Sequence, residues 1–149
     1  MAKIRKYLLV WVLLLVCLLS KAQDSTILTV IGNVKGTPMD LKMSELKKVF
    51  RGEKDRWNDG TKVVIAMVKP TTSLGKIISQ KVYSMSPDEL NSFWLSFSFK
   101  FSGSPPKTFN NVGELEIFVS ETPGAIAILN KTTTVTDIKT ILIDNKKSF

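Results

Sequence analysis

The residues best suited to chemistry lie in one run, Lys69-Pro70-Thr71-Thr72-Ser73-Leu74-Gly75-Lys76. Pro70 pushes Lys69 into an extended conformation, and three hydroxyl side chains follow where a helix needs its cap. First-turn N–H groups without intrahelical partners, hydroxyls and two lysines together suit an anion. Lys69, Thr71, Thr72, Ser73, Gly75 and Lys76 are therefore the candidate ligand-binding residues. The same pattern also fits an ordinary N-cap beside a solvated lysine, which needs no ligand. Catalysis has less to work with. The sequence holds no His and a single Cys, Cys17, which removes Ser–His and Cys–His nucleophiles and Cys- or His-rich zinc sites. Asp55 and Asp59 flank Trp57, and Asp88-Glu89 opens a helix; turn formation and capping account for them. Glu114 and Glu116, two apart on a helix, face different directions and form no acid–base pair. The expectation is a non-enzymatic chain with no cofactor and no metal site.

Residues 1–22 stand apart from the rest. Lys3, Arg5 and Lys6 precede an apolar run from Leu8 to Leu19, and Ser20-Lys21-Ala22 has the small-x-small outline of a cleavage site, as in a secretory signal peptide. The run falls short of the ~20 residues a spanning helix needs. Leu14-Leu15-Val16-Cys17 also has the outline of a lipoprotein box with Cys17 acylated, but Val16 is bulky for the position before the cleaved bond. Export to the periplasm is the expected location, with a lipid anchor at Cys17 as the alternative. Residues 1–22 hold four of the 21 Lys and Arg and none of the 13 Asp and Glu. The remainder carries 17 cationic against 13 acidic side chains, +4 in place of +8. Its lysines are scattered, with no aromatic-basic stripe, so nucleic acid is not an expected partner.

The elements that must position the candidate site follow from hydrophobic period. After a short polar lead at 23–26, Ile27–Ile31 and Lys62–Val68 are β-branched apolar runs, too short for helices and so buried strands. Between them, Ser44 can cap a helix that places Leu46, Val49 and Phe50 on one face; Gly52 stops it. A basic, solvated segment holding Trp57 then leads to an Asp59-Gly60 turn. Beyond the candidate site, Ile77, Ile78, Val82 and Tyr83 give its helix an apolar side. Ser86 with Glu89 makes a capping box for a helix on which Leu90, Phe93, Trp94 and Phe97 recur at i, i+3, i+4, i+7. Residues 102–107 read as a loop. Asn111 with Glu114 starts another helix, and Ala125–Leu129 is a third strand. Thr132–Thr136 is a polar connector, Ile138–Ile143 a last strand, and 144–149 a frayed basic tail. The large aromatics belong mainly to the core. If Phe97, Phe99 and Phe101 alternate in extended chain, they offer an apolar edge to a partner. Asn130-Lys131-Thr132 matches a glycosylation sequon, a weak pattern. Strands alternating with helices imply an α/β domain with a mainly parallel sheet over 27–143.

The order of several short motifs adds a resemblance. Ser44-Glu45-Leu46, Phe50-Arg51-Gly52, Trp57 and Asp59-Gly60 are followed by Phe93-Trp94, Phe101-Ser102-Gly103, Pro105-Pro106 and Thr122-Pro123-Gly124-Ala125-Ile126. In this order, over about Ile27 to Leu129, the chain resembles the substrate-binding proteins of phosphate ABC transporters, and more closely their short single-lobe relatives. The resemblance implies one lobe of a type II periplasmic-binding-protein-like fold. It implies a solute-binding-like module with low affinity for phosphate or a similar oxyanion, linked to ABC-type phosphate uptake or sensing. In the full-length binders, a Ser-Gly-Thr motif preceded by Arg helps to hold phosphate. Lys69 stands near that Arg position here, and Thr72-Ser73-Leu74-Gly75 replaces the motif; a lysine lacks the planar fork of arginine. The strand from Ala125 lacks the second Gly and the Tyr of the family's Gly-Ala-Ile-Gly-Tyr. The first lobe's loop has no counterpart, so a homodimer or a membrane or periplasmic protein partner would supply the second wall. The alternative function is a single-lobe scaffold for protein–protein interaction with no small ligand.

Overall fold

A computed structural model describes residues 26–100 and 104–149. The signal-peptide and lipid-anchor expectations, and Phe101, lie outside them. Six strands form one sheet: β1 (Thr29–Asn33), β2 (Asp40–Leu41), β3 (Val64–Val68), β4 (Lys107–Phe109), β5 (Ala125–Leu129) and β6 (Ile138–Ile143), in the order β2-β6-β1-β5-β3-β4. Helices α1 (Met43–Phe50), α2 (Ser73–Ile78), α3 (Pro87–Lys100) and α4 (Val112–Glu121) complete the fold, with a π-helical turn at Ser79–Tyr83. Strands β2, β6, β5, β3 and β4 all point one way, and β1 alone runs against them, antiparallel to both β5 and β6. The fold class is α/β with a mainly parallel sheet, as the alternation of elements implied.

Both β1 and β5 are buried along their whole length, which is why β5 reads as an unbroken apolar run and neither strand shows a period of two. Asn33, the polar end of β1, is 2% exposed, yet every polar atom of its side chain is used. Its Nδ2 donates to the carbonyls of Val119 at 2.9 Å and Ser120 at 2.8 Å, in the last turn of α4, and its Oδ1 accepts from Lys35 N at 2.8 Å. Those carbonyls have no partner within their helix, so a side chain from the central strand closes the end of α4. The tail is not frayed. Phe149 and Leu28 exchange two backbone hydrogen bonds of 2.9 Å, tying the end of the chain back to the residue before β1.

Two expected details change. Lys42, not Ser44, is the N-cap of α1. The Glu45 carboxylate accepts from Lys42 N at 3.1 Å and that of Asp144 from Met43 N at 3.3 Å, so distant and local acids do what Ser44 would have done. Trp57 is in the core, as expected of the large aromatics, within a segment that is otherwise mostly exposed: it is 4% exposed and its indole N–H donates to the Gly124 carbonyl at 2.8 Å. Phe97 and Phe99 lie in α3 and do not alternate in extended chain; Phe97 is half-buried and Phe99 exposed. Other expectations hold. Ser86 and Glu89 form the reciprocal capping box, Gly52 ends α1 at φ +75°, and Asp59 Oδ1 accepts from Thr61 N at 2.9 Å. Hydrogen bonds from Thr61, chiefly from its backbone, hold the Asp59 carboxyl below its ordinary pKa.

Tyr83 closes the layer between α1 and α3. Its hydroxyl donates to the Phe50 carbonyl at 2.7 Å, at the end of α1, and lies 3.3 Å from the Met67 sulfur on β3. Its ring meets Phe50 and Trp94 edge-on. Burial pushes the phenol well above its ordinary pKa, with Trp94 and the Arg51 charge opposing more weakly.

Two outcomes follow. Asn33→Ala leaves two helix-end carbonyls without donors and should cost at least about 2 kcal/mol, lowering Tm by roughly 6–10 °C. For Tyr83, the unfolded state ionises first because the folded pKa is raised. Its contribution is whole below about pH 10 and is lost as pH rises beyond that. The difference in unfolding free energy between the protein and Tyr83→Phe should therefore shrink above that pH. Phenolate absorbance of Tyr83, obtained by subtracting the Tyr83→Phe titration, should appear only with loss of the native circular dichroism.

Candidate functional site

The candidate residues sit where β3 leaves the sheet. Lys69 N donates to the Phe109 carbonyl at 2.9 Å, so the pairing of β3 with β4 runs one residue past the strand itself. Pro70 is buried and turns the chain. Thr72 then caps α2: its Oγ1 accepts from Gly75 N at 3.0 Å and donates to the Lys69 carbonyl at 2.7 Å. A Cβ on Gly75 would run into that same Lys69 carbonyl, so the first turn of α2 sits directly on the end of its own strand. The six candidates therefore divide. The Thr72 hydroxyl and Gly75 are committed to the fold. Lys69, Thr71, Ser73 and Lys76 are exposed on the outer surface of the junction, beside the first-turn amides of Ser73 and Leu74, which have no carbonyl ahead of them in the helix.

A second helix starts alongside. Val68 and Phe109 are paired in register on parallel strands, which brings Asn110 beside Lys69. Asn111 caps α4, accepting from Glu114 N at 2.9 Å. Strand β5, parallel to β3, ends at the same edge and passes to Asn130 and Lys131. Lys131 Nζ lies 3.1 Å from Glu116 Oε2, the one ion pair among the described residues. The sequence carries no sign of this pair, because Glu116 looks like a solvated helix residue and is 5% exposed. It does separate Glu116 from the exposed Glu114, as their spacing implied. Lys131 is thus neutralised, whereas Lys69 and Lys76 have no acidic partner among the described residues. The edge presents positive charge and helix amides together, at the carboxyl ends of parallel strands, where open α/β sheets take their ligands. Among the described residues no group of three His, Cys, Asp or Glu could hold a metal ion.

A cavity of about 850 Å³ opens elsewhere, at the amino end of β3. None of the six candidates lines it. One side is the 51–56 segment after α1; the other is Lys62, Val63 and Ile65 with Phe93 and Phe97 of α3. Gly52 makes this meeting possible, since a Cβ there would come within 2.7 Å of Phe97 Cζ. The cationic residues of the segment were legible; the aromatic floor beneath them was not, because Phe93 and Phe97 lie some 40 positions away in sequence.

No protein-family model and no curated protein matches this sequence. Solved structures do match in fold. PstS from Borrelia burgdorferi aligns with TM-score 0.60 at 15% identity, over 80% of this chain and 47% of its own length. An ABC-type phosphate transport receptor from Vibrio cholerae aligns with TM-score 0.62 at 10% identity, over 83% and 53%. A putative phosphate ABC transporter substrate-binding protein with bound phosphate, from Clostridium perfringens, aligns with TM-score 0.60 at 12% identity, over 80% and 45%. The chain spans about half the length of these structures and has the α/β fold of periplasmic-binding-protein-like substrate-binding proteins over that half.

Proposed function

We propose that the chain is an exported, non-enzymatic solute-binding module, a single lobe that takes phosphate or a similar oxyanion with low affinity in phosphate uptake or sensing. The observation that carries it is the junction after β3, where Lys69 and Lys76 stand beside the start of α2 with no acidic partner among the described residues. Lys69, Thr71, Ser73 and Lys76 and the Ser73 and Leu74 amides would meet the anion directly. Thr72 and Gly75 act one step back, by setting the shape of the turn. The likeness of the fold to an ABC-type phosphate transport receptor and to a putative phosphate ABC transporter substrate-binding protein supports the choice of anion. A wall on one side leaves the ligand half in water, so each hydrogen bond counts for less than in a closed clamp; hence the low affinity, and hence an advantage in a partner that covers the junction. A second reading, a scaffold for a protein partner with no small ligand, is favoured by Leu95 and Phe99. They lie one turn apart on α3 and are 63% and 84% exposed.

A thermal melt against phosphate, sulfate and chloride at matched ionic strength separates the two. A ligand at about 100 times its Kd stabilises by ~2.7 kcal/mol, several degrees for a domain of this size. Phosphate should raise Tm and chloride should not. Lys69→Gln with Ser73→Ala should abolish the phosphate response and leave the ligand-free Tm nearly unchanged. Thr72→Ala should lower the ligand-free Tm through loss of its cap, by about 1 kcal/mol. An equal shift with every salt, or an undiminished phosphate response in the Lys69/Ser73 variant, would sink the anion site and leave the scaffold.

A further inference from the structure

The cavity at the amino end of β3 has two chemically distinct halves. Phe93, Phe97, Val63 and Ile65 form an apolar floor, and Arg51, Lys54, Arg56 and Lys62 bring positive charge to it. Glu53 and Asp55 also line it, so four cations stand against two carboxylates. None of the four makes an ion pair among the described residues. Their contacts are all with neutral groups. Lys54 Nζ lies 3.4 Å from Asn58 Oδ1 and 5.6 Å from the centre of the Trp57 ring; Arg56 Nη1 donates to the Gly60 carbonyl at 2.9 Å; Lys62 Nζ lies 3.4 Å from Ser104 Oγ.

Arg51 is the informative one. It stands at the C-terminal end of α1, half-buried, and its Nη2 reaches only the Tyr83 carbonyl, at 3.4 Å. Its Nε is buried and meets no acceptor. Arg51 lines the cavity, and a guanidinium with five donors and one long hydrogen bond among the described residues still has donors for a ligand oxygen. A volume of about 850 Å³ lies within the range of small-molecule sites, which are mostly apolar with a few polar groups fixing orientation.

We propose that this cavity binds a small amphipathic monoanion, a carboxylate or sulfonate with an aliphatic or aromatic body, its head at Arg51 and its body on Phe93, Phe97, Val63 and Ile65. The alternatives fit less well on the same grounds. A neutral apolar molecule leaves Arg51 unmet. Inorganic phosphate is strongly hydrated and gains nothing from an aromatic floor. The site is separate from the Lys69–Lys76 junction and does not depend on the function proposed for it.

Anilinonaphthalene sulfonate is a suitable probe, because it carries one sulfonate on an aromatic body and fluoresces when buried. Titrated into the folded protein, it should bind saturably at one site and be displaced by decanoate, but not by phosphate at the same ionic strength. Its neutral analogue phenylnaphthylamine should bind about tenfold more weakly or worse, and Arg51→Gln should weaken the sulfonate to a similar degree, as loss of a charge-assisted hydrogen bond requires. If Arg51→Gln does not melt cooperatively, Lys62→Gln with Arg56→Gln at the exposed rim should still lower sulfonate affinity and leave the neutral analogue unchanged. Equal binding of the charged and neutral probes would overturn the proposal. So would displacement by phosphate, failure of decanoate to compete, absence of saturable binding, or sulfonate affinity unmoved in the variant that folds.

Discussion

One strand that runs against all its neighbours sets the terms for the rest of this fold. Strand β1 is buried on both faces and hydrogen-bonded along both edges, to β5 and to β6. In that position no backbone group can fall back on water, so register and direction are fixed by ladder hydrogen bonds that must all be made at once. The polar residue that ends the strand meets the same demand: Asn33 is tolerable only because α4 and Lys35 absorb its donors and its acceptor. Its own carbonyl accepts from the buried Thr37 hydroxyl at 2.6 Å. The loop after β1, the end of α4 and, through Leu28, the end of the chain are thereby tied to one strand.

Around this centre the five parallel strands share a direction, and that gives the two ends of β3 different characters. At the carboxyl end, α2 and α4 each begin within a few residues of a strand end and the caps turn backbone amides outward. At the amino end, the chain arrives from the 51–56 segment, with α1 ending beside α3, and a space remains between charged loop and aromatic helix. Trp57 fixes that segment to the sheet through the Gly124 carbonyl, which also accepts from Val64 N at 3.2 Å. A loop rich in lysine and arginine is thus held at a set distance from the floor of the cavity by one buried indole.

Much of the fold could be read from period and punctuation, and the failures have a common cause. The buried strands β1, β3 and β5 announced themselves as short β-branched runs, and the helices of Leu90 and Leu115 by spacing and caps. Strands β2 and β4 are two and three residues long, largely exposed, and exist only because β6 and β3 offer them an edge. Nothing local marks Lys107-Thr108-Phe109 as a strand. Ser44 does not cap because α1 starts two residues earlier, where Glu45 closes on Lys42 N and Asp144, 101 positions away, accepts from Met43 N; the acceptor of the Trp57 indole, 67 residues away, was likewise not legible. At the candidate site, the hydroxyl cluster and the cap were legible. Which hydroxyl the cap would consume was not, since that depends on how close α2 sits to Lys69.

That closeness also decides what substitutions at the junction can report. Thr72 and Gly75 hold the turn against the Lys69 carbonyl, so changing either moves the backbone that presents the amides. Lys69 and Ser73 face water and carry no hydrogen bond from the fold through their side chains among the described residues, so changing them alters charge and donors while the turn stays as it is. A binding defect at Lys69 or Ser73 therefore speaks about a ligand, and one at Thr72 or Gly75 speaks first about the helix. The division follows from a single shared acceptor, the Lys69 carbonyl, which receives both the Thr72 amide and the Thr72 hydroxyl and leaves no room for a side chain at position 75.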